Sequence, residues 1–148
     1  MILSNEGRLS RRRLLAAAAA AGTSPLFIPS AVLGNPSSVP PSERITLGFI
    51  GLGRLGLRHH LLTYLQNSDV QVLAVCDVDQ WRRENAKAEV EKAYGAAQKN
   101  GQYRGCTAYK DFRELLARDD IDGVVITVGD RWNAVMAAMA ARAGKDVY

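Results

Sequence analysis

Residues 45–56 read ITLGFIGLGRLG, a short apolar run followed at once by three spaced glycines. The apolar part predicts a buried strand, and the apolar spacing after position 56 predicts a helix. Gly51 permits a sharp turn off the strand, Gly53 lets the backbone approach a ligand closely, and Gly56 lets the helix lie near the strand. This order is that of a dinucleotide-binding βαβ unit, in which the helix N-terminus faces a pyrophosphate.

An acidic residue stands where such a unit needs one. A second apolar run, residues 70–76, leads to Asp77, which lies 21 residues beyond Gly56; a spacing of about 20 is typical. We expect Asp77 to accept hydrogen bonds from the adenosine ribose hydroxyls. Its charge repels a 2′-phosphate and favours NAD, while Arg82 and Arg83 leave NADP as the alternative.

Three other residues of the glycine turn are predicted to contact the cofactor. Leu52, Arg54 and Leu55 stand between the glycines, where backbone N–H groups meet the pyrophosphate. The Arg54 side chain either contacts the phosphates or is solvated.

The chain after residue 44 alternates between strand and helix patterns. Strands are predicted at 45–50, 70–76, 104–109, 123–128 and 146–148, and helices at 54–66, 80–99, 110–118 and 132–143. The near-continuous apolar character of the first and fourth strands indicates that both faces are buried. The fold class is therefore α/β, a Rossmann-type doubly wound parallel sheet truncated after about the fifth strand, with the order 3-2-1-4-5.

The first 34 residues are predicted to be a targeting segment rather than part of the fold. The sequence SRRRLL at 10–15 resembles a twin-arginine export signal, with a leucine where phenylalanine is most frequent, and an alanine-rich stretch follows. The resemblance implies a folded protein exported to the periplasm by the twin-arginine machinery. An uncleaved signal that anchors the chain in the membrane is the alternative. Residues 35–44, rich in proline and serine, are predicted to be a linker.

Charge and composition exclude other function classes. The hydrophobic fraction of 47% and the charged fraction of 23% are ordinary for a globular domain. The net charge of +4 comes largely from Arg8 and the arginines at 11–13, because 15 basic and 14 acidic residues remain after position 34. We therefore predict no nucleic-acid binding.

Cysteine and histidine do not form a metal motif. Cys76 and Cys106 are the only cysteines and His59 and His60 the only histidines. We predict no metal site, since no third ligand accompanies the adjacent histidines. The cysteines are predicted to be buried apolar residues on neighbouring strands, with a disulfide as the alternative.

Four further stretches accompany the glycine turn: VCDVD (75–79), YKDFRELL (109–116), DIDGVVI (120–126) and AGKDVY (143–148). Together they resemble the N-terminal half of the Gfo/Idh/MocA oxidoreductases. This resemblance implies a domain at 45–148 that binds a nicotinamide dinucleotide, as half of an enzyme acting on sugars, inositols or related polyols.

The loop after the fourth strand departs from that family. The family usually has Thr-Pro-Asp-His-Trp-His near the nicotinamide, where this chain has VGDRWN at 128–133. The resemblance places Val128, Asp130 and Trp132 at the nicotinamide end of the cofactor. Gly129 replaces a proline, and we expect it to loosen the turn.

The sequence also lacks the family's catalytic segment. A Glu-Lys-Pro motif, whose lysine helps to position substrate and move a proton, normally follows the position of Tyr148 and precedes a C-terminal substrate domain. We assign no catalytic residue and expect no catalysis by these 148 residues alone. The alternative is a stand-alone, non-catalytic dinucleotide-binding module or truncated pseudoenzyme. The sequence leaves a homo-oligomer open.

Overall fold

The computed structural model describes residues 43–95 and 103–148. The predicted signal at 1–34 and most of the predicted linker lie outside the described residues. No helix in the described ranges is long and apolar enough to cross a membrane.

A five-stranded parallel sheet forms the centre of the domain. Its strands are β1 (Ile45–Ile50), β2 (Val70–Cys76), β3 (Thr107–Tyr109), β4 (Gly123–Ile126) and β5 (Asp146–Val147). Their order is β3-β2-β1-β4-β5, and every neighbouring pair is parallel. The predicted Rossmann-type fold and strand order are confirmed.

In the described ranges, four helices follow the strands. Helix α1 is a π-helical segment, Leu55–Leu61, continued by the α-helical turn Leu62–Tyr64; α2, α3 and α4 are Gln80–Ala93, Phe112–Leu116 and Asp130–Arg142. Carboxylates cap two of them. Asp79 accepts a hydrogen bond from the Arg82 N–H at 3.2 Å, and Asp111 accepts one from the Arg113 N–H at 2.9 Å.

Apolar side chains cover both faces of the sheet. One cluster, which includes Phe49 and Val72, packs against α1 and α2. The other, which includes Ile50 and Leu115, packs against α3 and α4. Since the chain crosses to opposite faces from the adjacent strands β1 and β4, their carboxyl ends border the crevice where such sheets bind ligands.

Several predicted boundaries are wrong. The third strand begins at Thr107 rather than 104, because Gly105 has φ +103° and breaks the extended backbone. Helix α2 ends at Ala93, next to a contact between the Tyr94 and Tyr103 rings at 4.8 Å between centroids, and residues 96–99 of the predicted helix lie outside the described residues. The fourth strand ends at Ile126 rather than 128. The last two helices are also displaced by two residues at their starts, and the predicted first helix is mostly π-helical.

Candidate functional site

A cavity of about 660 Å³ opens at the carboxyl ends of β1, β2 and β4. This volume lies within the usual range of small-molecule sites. Its lining comprises Ile50, Gly51, Gly53, Cys76, Asp77, Val78, Arg82, residues 110–114, residues 127–129, Trp132 and Met136.

At two positions of the turn, the conformation and packing of the protein itself require glycine. Gly51 has φ +89°, and its N–H donates to the Cys76 carbonyl oxygen at 2.9 Å. A Cβ on Gly51 would lie 2.5 Å from the carbonyl oxygen of Thr127, and a Cβ on Gly56 would overlap the carbonyl oxygen of Gly51 and Oγ1 of Thr127. The predicted roles of Gly51 and Gly56, a sharp turn and a close helix, are confirmed.

Gly53 differs from both. Its φ is not in the left-handed region, and the nearest atom to a Cβ built there is Nη1 of Arg82, at 3.8 Å. Within the described ranges the Gly53 N–H has no acceptor. Gly53 lines the cavity, so the described residues leave open space and an unused N–H donor at this position of the cavity wall.

The Asp77 carboxylate lies at the cavity wall, only 8% exposed. Its Oδ2 accepts a hydrogen bond from the Leu52 N–H at 2.7 Å, and its Oδ1 accepts one from the Asp79 N–H at 2.9 Å. Each oxygen keeps lone-pair capacity for a further donor. Whether the ribose hydroxyls bind there stays a prediction.

Two arginines of α2 are oriented differently. Arg83 donates from Nη1 to the carbonyl oxygens of Asp77 and Val78, at 3.2 and 3.3 Å. Arg82 lines the cavity, and its guanidinium has only a loose contact of 3.8 Å with Asp79. Arg82 is therefore the cation of this pair that is available to a ligand.

The loop 127–129, at the other end of the cavity, has backbone angles at Gly129 that proline could also adopt. Gly129 has φ −65° and ψ 152°, and its carbonyl oxygen accepts from the Trp132 N–H at 2.9 Å at the start of α4. Gly129 thus has a φ that proline would also adopt, and the expectation that it loosens the turn stays a prediction. Trp132, 55% exposed, and Val128 line the cavity there.

Replacing Gly129 with proline is expected to stabilise the domain by about 0.4–1 kcal/mol, because it restricts the unfolded chain without changing the native φ. The Gly129 N–H has no acceptor among the described residues, so no hydrogen bond is lost. Urea unfolding measures the change. Gly129→Ala is the matched control, since its Cβ meets no atom of a described residue within 4 Å. A destabilised proline variant would show that Val128 does not tolerate a following proline.

The structure brings together half of the predicted site residues. Gly51, Gly53, Asp77, Val128 and Trp132 line the cavity.

The other five predicted residues lie outside its lining, namely Leu52, Arg54, Leu55, Gly56 and Asp130. Leu52 and Gly56 are buried, and Leu55 is exposed. Asp130 lies in the first turn of α4 and is also exposed.

Sequence reasoning missed the segment 110–114, which lines the cavity. The Asp77 N–H donates to the carbonyl oxygen of Tyr109 at 3.2 Å, so the residues that follow β3 lie beside the end of β2. The predicted strand order could have revealed this segment, because the carboxyl ends of neighbouring parallel strands lie at the same edge of a sheet. Thr127 and Met136 were missed as well.

The cysteines are free and buried, so the alternative of a disulfide is wrong. Burial raises the pKa of Cys76 to about 12, and the Asp77 charge adds to the rise. Burial likewise raises the pKa of Cys106 to about 12. Cys76 is therefore a neutral thiol in the cavity wall at physiological pH. In the described ranges no three His, Cys, Asp or Glu side chains converge as a metal site.

The raised pKa values of the two thiols predict that the domain loses stability at alkaline pH. An unfolded thiol ionises near pH 9, whereas the folded thiols keep their protons to about pH 12. Raising the pH through this window therefore favours the unfolded state, by about 1.4 kcal/mol per pH unit for each thiol. The free energy of urea unfolding should fall from pH 8 to pH 10, and less so in the Cys76→Ala/Cys106→Ala variant. Equal slopes in both proteins would contradict the thiol assignment.

The family model described as "Oxidoreductase family, NAD-binding Rossmann fold", that of Gfo/Idh/MocA, matches residues 45–148. Among curated proteins, a glycosyl hydrolase family 109 protein of Shewanella pealeana is 34% identical over 99% of this chain and 30% of its own length. An alpha-N-acetylgalactosaminidase of Shewanella oneidensis is 32% identical over 80% of this chain and 27% of its own length.

Solved structures show the same fold. The scyllo-inositol dehydrogenase of Lactobacillus casei, with bound NAD(H) and scyllo-inositol, has a TM-score of 0.58 and 25% identity over 70% of this chain and 27% of its own. The myo-inositol 2-dehydrogenase of Lactobacillus plantarum has a TM-score of 0.58 and 26% identity, with the same coverage. The chain thus spans less than a third of the length of each of these relatives.

Proposed function

Because this chain belongs to the Gfo/Idh/MocA oxidoreductase family, we propose that its cavity holds a nicotinamide dinucleotide, with NAD preferred over NADP. The observation that carries the proposal is Gly53, where the described part of the chain leaves an N–H donor and open space unused. The pyrophosphate lies at Gly53, the adenosine end lies toward Asp77 and Val78, and the nicotinamide lies toward Val128 and Trp132. The dinucleotide would supply hydride transfer.

The preference for NAD rests on the adenosine end. The Asp77 carboxylate disfavours a 2′-phosphate nearby, and the next residue, Val78, is 79% exposed and offers no hydrogen bond from its side chain. Arg82 lines the cavity, and its positive charge would attract a 2′-phosphate. NADP is therefore expected to bind, but more weakly than NAD.

Binding is tested by calorimetric titration of the purified chain with NAD and with NADP. We expect saturable binding of NAD, and binding of NADP that is weaker by about tenfold or more. No binding of either dinucleotide would refute the proposed function, whereas tighter binding of NADP would overturn the preference alone.

For the whole protein we propose oxidation or reduction of a sugar, inositol or related polyol. The similarity to two inositol dehydrogenases supports this. A second candidate, cleavage of N-acetylgalactosaminides, is favoured by the more identical curated relatives, one of which carries that activity in its name. Both candidates need substrate-binding residues beyond those described. The alternative of a stand-alone module remains, and sequencing the coding frame past the codon for Tyr148 separates it from both.

The two candidate activities are distinguished by assays of the protein that the full coding frame encodes. Release of the sugar from a chromogenic N-acetylgalactosaminide supports the hydrolase, and NADH formation with inositols or free sugars supports the dehydrogenase. Neither signal, from a protein with bound NAD, would favour a non-catalytic role.

We also propose export by the twin-arginine route. The support is the SRRRLL sequence at 10–15 and a similarity to the Shewanella pealeana relative that reaches into the N-terminal segment. Replacing Arg11 and Arg12 together with lysine should abolish appearance of the protein in the periplasmic fraction. Recovery of the unaltered protein in the membrane fraction would favour the anchored alternative.

A further inference from the structure

The contacts of Asp77 point to a task that the resemblance does not assign to it. In dinucleotide-binding units the acid after the second strand is read as the partner of the adenosine ribose. Here both carboxylate oxygens accept backbone N–H groups of the protein itself, from Leu52 at 2.7 Å and from Asp79 at 2.9 Å. The first of these bonds joins the end of β2 to the middle of the glycine turn.

The backbone of Asp77 is also fixed by hydrogen bonds, at both its N–H and its carbonyl oxygen. Its N–H donates to the carbonyl oxygen of Tyr109 at 3.2 Å, and its own carbonyl oxygen accepts from Nη1 of Arg83 at 3.2 Å. The Leu52 side chain is buried in the core at 2% exposure. The bond between the two residues therefore links two fixed parts of the domain and sets the path of the backbone into Gly53.

We infer that the Asp77 carboxylate positions the phosphate-binding turn through the Leu52 N–H, in addition to any contact with the ribose. This inference rests on the proposed function. It has a chemical consequence: the position requires a carboxylate rather than an amide. Both neighbours are N–H donors, and an asparagine would present its own NH₂ group to one of them.

The inference is tested with Asp77→Asn and two ligands, NAD and an NAD analogue whose adenosine ribose lacks both hydroxyls. If Asp77 positions the turn, the variant binds both ligands about tenfold or more weakly than the wild-type chain does. If Asp77 only contacts the ribose, the variant and the wild-type chain bind the dideoxy analogue equally, which overturns the inference. Asp79→Asn is the matched control, because it removes the same charge two residues away and keeps an oxygen to cap α2.

A measurement without variants or ligand covers the case in which Asp77→Asn does not fold. In the ligand-free wild-type chain, the Leu52 amide should exchange its hydrogen at least about tenfold more slowly than the Gly53 amide, which has no acceptor among the described residues. Equal exchange at the two amides would overturn the inference. Failure of the proposed function looks different: the wild-type chain then binds neither dinucleotide, while the Leu52 amide stays protected.

Discussion

Replacing Gly56 with alanine is expected to destabilise the domain by about 3 kcal/mol, at the upper end of the range for overpacked sites. The added methyl group would overlap the carbonyl oxygen of Gly51 and Oγ1 of Thr127. These two groups are hydrogen-bonded to each other, with the Thr127 hydroxyl as the donor. Neither is the end of a flexible side chain, so α1 must move away from β1 and β4.

Urea unfolding of the purified variant measures this loss. Gly129→Ala is again the control, because it makes the same chemical change where a Cβ meets none of the described atoms within 4 Å. The control should be as stable as the wild-type chain or slightly more stable, since alanine restricts the unfolded state. A Gly56→Ala variant as stable as that control would show that α1 does not pack against the strands as described.

The sequence predicts the parts of the fold that local patterns determine. Strands β1 and β2 are mainly apolar and are bounded by Gly51 and Asp77, and both were predicted to the residue. Their order in the sheet follows from right-handed crossovers. The conformation of Gly51 and the tight packing at Gly56 were likewise predicted from residue type, because few residues other than glycine fit such positions.

What the sequence did not predict depends on residues far apart in the chain. Helix α2 ends at Ala93, next to a contact between Tyr94 and Tyr103 that no local sequence pattern predicts. The conformation of Gly129 is set by its place at the start of α4, not by its own freedom. One of the two hydrogen bonds of the Asp77 carboxylate, that from the Leu52 N–H, joins the end of β2 to a turn 25 residues earlier, a pairing that spacing alone does not reveal.

Replacing Gly53 with alanine is expected to leave the domain folded and to weaken NAD binding by about tenfold or more. No described residue excludes a methyl group here, because the nearest described atom, Nη1 of Arg82, lies 3.8 Å from the Cβ position. The backbone needs no left-handed conformation either. Stability should therefore change by less than about 0.5 kcal/mol, as at most sites without a specific constraint.

The methyl group would instead occupy space that the cofactor needs. In the proposed complex the pyrophosphate approaches the Gly53 backbone, and a Cβ at that position holds it away from the free N–H. Calorimetric titration with NAD, together with urea unfolding of the same preparation, separates the two effects. Gly56→Ala lowers stability because protein atoms occupy the space of the added methyl group. Gly53→Ala lowers affinity because the bound cofactor would occupy that space. A Gly53→Ala variant that binds NAD as the wild-type chain does would place the pyrophosphate elsewhere, and the cavity would need another ligand.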